Sequence, residues 1–165
     1  MKKIGLISDT HSYLHPRVKD YFEDCGEIWH AGDIGNIEVA DQLNAFRPLK
    51  AVYGNIDGHE VRKQYPKHLR FNLEGLDVWI THIGGYPGRY DRRVRDEIRK
   101  HPPGLFICGH SHILKAMPDK KLGLLHLNPG AAGKVGFHNV LTLMRFEIDQ
   151  AQVKNLEVIE LEKRI

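Results

Sequence analysis

Cysteine is scarce in this chain: Cys25 and Cys108 are the only two among 165 residues. Two thiols make no disulfide framework and no four-thiolate zinc site. Long hydrophobic runs are missing as well, since nothing approaches the roughly 18 apolar residues of a membrane span. Lys2-Lys3 is followed only by Ile4 to Ile7 before Ser8-Asp9. That is too short for the apolar stretch of a signal peptide, so the opening predicts the first strand of a cytoplasmic protein with no membrane partner. Internal repeats, low-complexity tracts and Pro/Ser linkers are absent, which predicts a single domain over residues 1–165. Nor is there a large charge of one sign. Lys and Arg number 24 against 21 Asp and Glu, a net charge of +3. Arg89 to Lys100, with six basic and three acidic residues, carries that whole excess. The stretch reads as a solvated helix face or as a basic rim that steers an anionic substrate. It lacks the interleaved aromatics of single-strand nucleic-acid binders.

What the chain does have is ordinary globular composition, 41% hydrophobic and 27% charged, and eleven histidines. A chain this long buries roughly 70% of its unfolded surface, enough for a core without staples. Lys3–Ser8 reads as a strand. Pro16 suits a helix start, and Val18, Tyr21, Phe22 and Cys25 form one apolar face. Glu27–His30 is a second strand, Ile37 through Phe46–Arg47 keeps helical spacing until Pro48 stops it, and Leu49–Tyr53 is a third strand. This alternation predicts an α/β fold with a parallel sheet. Leu69–Leu73 and Asp77–Thr81 predict a hairpin; Tyr90, Val94 and Ile98 predict a helical stripe; Leu105–Cys108 is a buried strand. The remainder reads as all-β, with Leu122–Leu127, Val140–Ile148 and Val153–Leu161 as strands. The last two form an apolar hairpin that suits either the core or an interface between copies of the chain.

Five of these runs end in potential metal ligands: Asp9 and His11, Asp33, Asn55, His82, and His110 with His112. Ligands in open α/β sheets bind beyond the carboxyl ends of the strands, where these residues would converge. Gly32, Gly54 and Gly109 stand just before ligands, at exits where a Cβ would obstruct the turn. Seven candidates exceed the roughly four that one zinc-like ion takes. Two ions bridged by a carboxylate, about 3.5–4 Å apart, would use all seven. Two divalent cations, two aspartates and one hydroxide leave a net charge near +1, which attracts an anion. Metal also lowers the pKa of bound water from about 15.7 towards 7. The pattern therefore points to phosphoester cleavage.

Asp9-Thr10-His11, Gly32-Asp33, Gly54-Asn55, Thr81-His82 and Gly109-His110-Ser111-His112 resemble the ordered motifs of the calcineurin-like metallophosphoesterase superfamily. Their spacing is most similar to its small YfcE-like phosphodiesterase branch, and the resemblance runs from Ile4 to about Gly133, including the Asn128-Pro129-Gly130 loop. It implies a two-sheet α/β sandwich flanked by helices. It also implies that Asp9, His11, Asp33 and His112 hold one metal, while Asp33 bridges to a second held by Asn55, His82 and His110. Asp33, Asn55 and His82 take the catalytic roles. A bridging hydroxide would attack phosphorus in line. The N and O donor set suits two divalent ions of Mn, Fe, Zn, Ni or Co better than Mg or Ca, with Mn favoured among them.

Two positions depart from the family pattern. Ile56 stands where many members have a leaving-group-protonating His, and Ile83 follows His82 where Gly is common. Asn55, His59 and Arg89 are candidate substrate contacts, with Arg92 and Arg93 beside them, and His59 could replace the missing acid. His30 reads as packing, Asp57 as a turn former or substrate contact, and Cys108 as core rather than nucleophile. His15, His68, His101, His126 and His138 read as structural or surface residues. The expected substrate is a phosphate ester, nucleotide-derived esters included, and more a diester than a monoester. One alternative is a nuclease of the same chemistry, for which +3 is a modest charge. The other is a non-catalytic scaffold, the use a retromer subunit makes of this fold.

Overall fold

The computed structural model describes residues 1–164. Two five-stranded sheets face each other. The first has the order β12-β11-β1-β2-β3, and the second β4-β5-β8-β10-β9. In the first, β1 (Lys2–Ile7), β2 (Glu27–His30) and β3 (Leu49–Ala51) run parallel. The hairpin of β11 (Val140–Asp149) and β12 (Gln152–Lys163) completes it, β11 pairing antiparallel with β1. In the second, β5 (Leu76–Thr81), β8 (Leu105–Ile107) and β10 (Leu124–Asn128) run parallel. It is edged by antiparallel β4 (His68–Leu73) and β9 (Lys115–Asp119). Gly85–Tyr86 (β6) and Arg89–Tyr90 (β7) form a small separate ribbon.

Period-2 alternation sorts the strand residues into layers. Ile4, Leu6, Trp29, Met144 and Phe146 from the first sheet meet Val78, Ile80, Leu105, Ile107 and Leu127 from the second. On the outer face of the first sheet, Ile28, Leu141 and Leu143 pack with the helical side. That side comprises α1 (Val18–Tyr21), α2 (Ile37–Phe46) and α3 (His59–Gln64). Trp79 and Phe106, on the outer face of the second sheet, pack with Val94 and with Ile98 of α4 (Arg95–Lys100). The result is the α/β sandwich flanked by helices that the motif resemblance implied. Among the described residues, no helix is long and apolar enough to cross a membrane.

The parallel pairing expected from the strand alternation is present in both sheets, each completed by antiparallel strands. Local periodicity does not reveal which strands share a sheet. The face of Val18, Phe22 and Cys25 is buried, but regular helix ends at Tyr21 and the rest is turn. Tyr90, Val94 and Ile98 do share a core, yet Tyr90 lies in β7. Hydrogen bonds from Val94 and Arg95 N–H to Asp91 C=O turn the chain there and bring the three to one side. α3 escaped the sequence reading because Val61 is its one buried residue. β9 escaped because its residues are exposed or half-buried and Pro118 interrupts the run.

His126, in the middle of β10, is buried, and its Nδ1 has no partner. Burial, with Lys115 adding to it, pushes its pKa down to about 4. The native state thus stays neutral at His126 while the unfolded chain takes a proton near pH 6.5. Stability is therefore lost as pH falls from about 6.5 towards 4, by about 1.4 kcal/mol per pH unit from this group. Urea unfolding of chelator-treated protein at pH 7 and pH 5 should show a drop that His126→Leu reduces by about 1–2 kcal/mol. An unchanged drop would show that His126 is not the titrating group.

Candidate metal centre

The five parallel strands β1, β2, β3, β5 and β8 release their chains at one edge of the sandwich. Asp9 and His11 follow β1, Asp33 follows β2, Asn55 follows β3, His82 follows β5, and His110 and His112 follow β8. Ligand-type atoms gather there in two groups, Asp9/His11/His112 and Asp33/His82/His110. Asp9 Oδ1 lies 3.2 Å from His112 Nε2 of its own group and 3.8 Å from His82 Nε2 of the other. Asp33 Oδ2 lies 3.1 Å from His82 Nε2 and 3.5 Å from His11 Nε2, so one carboxylate oxygen faces both groups. Asn55 Oδ1 sits 3.0 Å from His110 Nδ1.

Orphaned atoms reveal what this geometry suits. Asp9 Oδ1, His11 Nε2 and His82 Nε2 are buried without a hydrogen-bond partner. His82 Nδ1 donates to Ala31 C=O at 2.7 Å, which leaves Nε2 turned towards the carboxylates. Burial alone would lower the His82 pKa, but Asp33 and Asp9 outweigh it and raise it. His82 reciprocally holds the Asp33 carboxyl below its usual range, against the upward push of burial. A cation can take the place of that proton. Donors about 2.0–2.2 Å from a shared ion stand roughly 3.0–3.6 Å apart, close to the separations here. The residues fit a divalent metal.

Backbone geometry holds the arrangement under strain. Asp9, His11, Asp33, His110 and His112 all have φ between 46° and 70°, a left-handed region few non-glycine residues enter. Such residues cost about 1 kcal/mol or more each and persist only where neighbours over-determine them. Here the exits are laced together: Asp9 N–H donates to Gly32 C=O, His11 N–H to Asp33 C=O, and Gly109 N–H to His82 C=O. Gly133 N–H in turn donates to Asp9 C=O. A Cβ at Gly54 would stand 2.1 Å from Asp33 Oδ1, and one at Gly109 would stand 2.2 Å from Ser8 Oγ and 2.7 Å from Asp9 Oδ2.

Three polar residues do more here than the sequence reading gave them. His30, wholly buried, accepts from Gly32 N–H at Nδ1 and so donates through Nε2 to Thr10 Oγ1, tying two ligand turns together. Burial pushes its pKa down to about 3, so it acts as a neutral tie. Asp57, buried, accepts from the N–H groups of Gly54, Ile34 and Gly35 and joins the Asn55 turn to the Asp33 turn. Asn128 donates to Gly109 C=O and Ser111 Oγ, bracing the exit of β8. Only the intervals His30–Gly32 and Asn55–Asp57 could have hinted at the first two roles, because the partners come from other strands.

The candidate substrate contacts separate. Asn55 stands at the cluster. His59 is exposed at the start of α3, outside the lining of the grooves beside the cluster. Arg89 lines another groove with Arg95, Arg99 and Lys121, while Arg93 borders the cluster instead. Ile56 is exposed at the rim, and its N–H donates to Asp33 Oδ1. Cys108 is buried with its thiol pushed up to about 12 by burial, so it stays protonated and unreactive at neutral pH.

A sandwich of this kind, with a histidine- and aspartate-rich cluster where its two sheets release their strands, defines a metallohydrolase-like class. Residues 1–151 match the family model of the calcineurin-like phosphoesterase superfamily domain, and the chain belongs to that superfamily. A probable metallophosphoesterase of Methanothermobacter thermautotrophicus is 31% identical over 135 residues, covering 78% of this chain and 76% of that protein. A phosphodiesterase of Methanocaldococcus jannaschii is 26% identical over 147 residues, covering 78% and 82%. Wild-type Vps29 of Entamoeba histolytica, solved with zinc, has the same fold at a TM-score of 0.72 and 20% identity, covering 97% of this chain and 99% of that one. Membership implies phosphoester hydrolysis with divalent metal ions.

Gly54→Ala forces the Asp33 carboxylate aside, whereas a Cβ at Gly58 meets nothing within 4 Å. Calorimetric titration with zinc should show affinity lowered at least about tenfold in Gly54→Ala and unchanged in Gly58→Ala. Equal affinity in the two variants would mean that Asp33 does not bind the metal.

Proposed function

We propose that this protein is a phosphodiesterase working with two divalent transition-metal ions. Asp9, His11 and His112 would hold one ion, with Asn55, His82 and His110 at the other and Asp33 between them. The observation that carries this reading is Asp33 Oδ2, which faces imidazole nitrogens of both ligand groups at 3.1 and 3.5 Å. Such ions, when bound, supply a hydroxide nucleophile at neutral pH and stabilise charge that develops on phosphorus oxygens. Manganese suits the N and O donors, and so do Fe, Zn, Ni and Co.

The chain's own residues do the positioning. Ala31 C=O fixes the His82 tautomer, Ser8 Oγ and His110 N–H hold Asp9 Oδ2, and Ile56 N–H holds Asp33 Oδ1. With its Oδ1 next to His110 Nδ1 and its side chain lining both neighbouring grooves, Asn55 would offer its amide N–H pair to a phosphoryl oxygen. Ile56 provides no proton for a leaving group, so esters with stable leaving groups are favoured. The named phosphodiesterase among the relatives supports a diester substrate. A complete set of seven ligand-type residues favours an enzyme over a scaffold.

Metal-stripped protein reloaded with Mn, Zn, Ni or Mg should regain cleavage of bis-p-nitrophenyl phosphate ahead of p-nitrophenyl phosphate. Asn55→Ala and His82→Ala should each lower it by about 100-fold or more, since even losing a ligand's outer partner costs 10–100-fold. Metal binding without turnover of either ester would replace the enzyme reading with a binding role. Ile56→His should raise turnover of alkyl esters by about 10-fold or more, and by less on p-nitrophenyl esters. An equal gain on both would remove Ile56 as the reason for leaving-group preference.

A further inference from the structure

The two flanks of the metal cluster differ in chemistry. Beside Asn55 and His82 lies a cleft of about 200 Å³ whose lining includes Arg62, Lys67 and Arg93 and no carboxylate. Lys67 forms no ion pair among the described residues, and Arg93 is partly balanced by Asp91 outside the lining, at 3.0 Å. Arg62 is held in place from behind. Its Nε donates to Asp57 C=O at 2.6 Å, its Nη2 to Asn55 C=O at 3.3 Å, and its guanidinium lies 4.6 Å from the Tyr53 ring. It is thus oriented by neutral groups, with its charge unspent. On the opposite flank, beside His110 and His112, the groove is lined by Ile113, Phe137 and His138 and has no Lys or Arg. Ile113 and Phe137 are both exposed.

We propose that the cationic cleft is an anion subsite for a second phosphoryl group, carried on one arm of the phosphodiester that is cleaved. This rests on the phosphodiesterase reading above. Three cations, of which only Arg93 is paired with a carboxylate, exceed what a carboxylate monoanion requires and suit a phosphate dianion, for which a pre-oriented guanidinium is apt. Because Asn55 and His82 line both cleft and cluster, the second phosphoryl group sits next to the scissile one. The flank of Ile113 and Phe137 offers that group no cation, so it receives the uncharged arm. Substrate orientation follows: phosphorylated arm over Asn55, apolar arm over His112.

A matched pair tests this: the p-nitrophenyl ester of thymidine 5′-phosphate, with and without a 3′-phosphate, beside bis-p-nitrophenyl phosphate. Wild-type enzyme should prefer the 3′-phosphorylated ester in kcat/KM by about tenfold or more, less as salt is raised. The preference should fall to within about twofold in Lys67→Ala/Arg93→Ala and persist in Arg99→Ala, which alters the other basic groove. In chelator-treated protein, thymidine 3′,5′-bisphosphate should shift the amide resonances of Gly54 and Ile83 and leave that of Arg99 in place. Cleavage of bis-p-nitrophenyl phosphate with no preference between the paired esters would overturn the subsite and leave the phosphodiesterase reading standing. A preference that survives in the double variant would overturn it as well. Failure to cleave any of the three esters would overturn the parent reading, and the subsite with it.

Discussion

Buried carboxylates and imidazole nitrogens are brought within about 4 Å of one another at the seam of two sheets, and much of the local structure follows from that crowding. Asp9 Oδ1, His11 Nε2 and His82 Nε2 are themselves buried and have no hydrogen-bond partner. An arrangement of this kind is costly unless a cation or a proton lies between the groups. Asp9 Oδ2 accepts from Ser8 Oγ and His110 N–H, and His82 Nδ1 donates to Ala31 C=O, so for these two residues the cost falls on the atoms that face inward. Unsatisfied atoms within a satisfied frame are the mark of a site built for an ion.

Maintaining that crowding dictates the backbone. Ligand-type residues from both sheets meet only if each chain turns sharply as it leaves its strand. Five of them do so with positive φ, and glycines make room at the places where a Cβ would strike a neighbouring carboxylate or hydroxyl. The turns support one another through backbone bonds and through His30, Asp57 and Asn128. None of those three belongs to the two groups of ligand-type atoms. The rigidity of the cluster nevertheless depends on them, because a left-handed turn without such partners would relax.

Much of the fold was legible in the chain because periodicity is a local property. β2 was read with its boundaries intact and α2 to within one residue, and the ends of the strands that precede the ligand-type residues fell within two residues. Elements without a strong apolar period were lost: α3 buries only Val61, and β9 is an exposed edge strand with a proline. The stripe of Tyr90, Val94 and Ile98 misled for a related reason. A turn and a short helix can gather the same three side chains that a longer helix would.

By itself the sequence determined the residue types and their order: carboxylate, amide or imidazole just past five strand-like runs, with glycine where the turn is tight. Chemistry of that kind is carried by identity and spacing, so one dimension suffices. Only the tertiary structure decided which strands share each sheet, that His30 and Asp57 tie neighbouring turns together, and that Arg93 borders the cluster while Arg89 lines another groove. Those outcomes depend on which distant segments approach each other. That approach is governed by burial and backbone hydrogen bonding across the whole sandwich, which no local window of the chain contains.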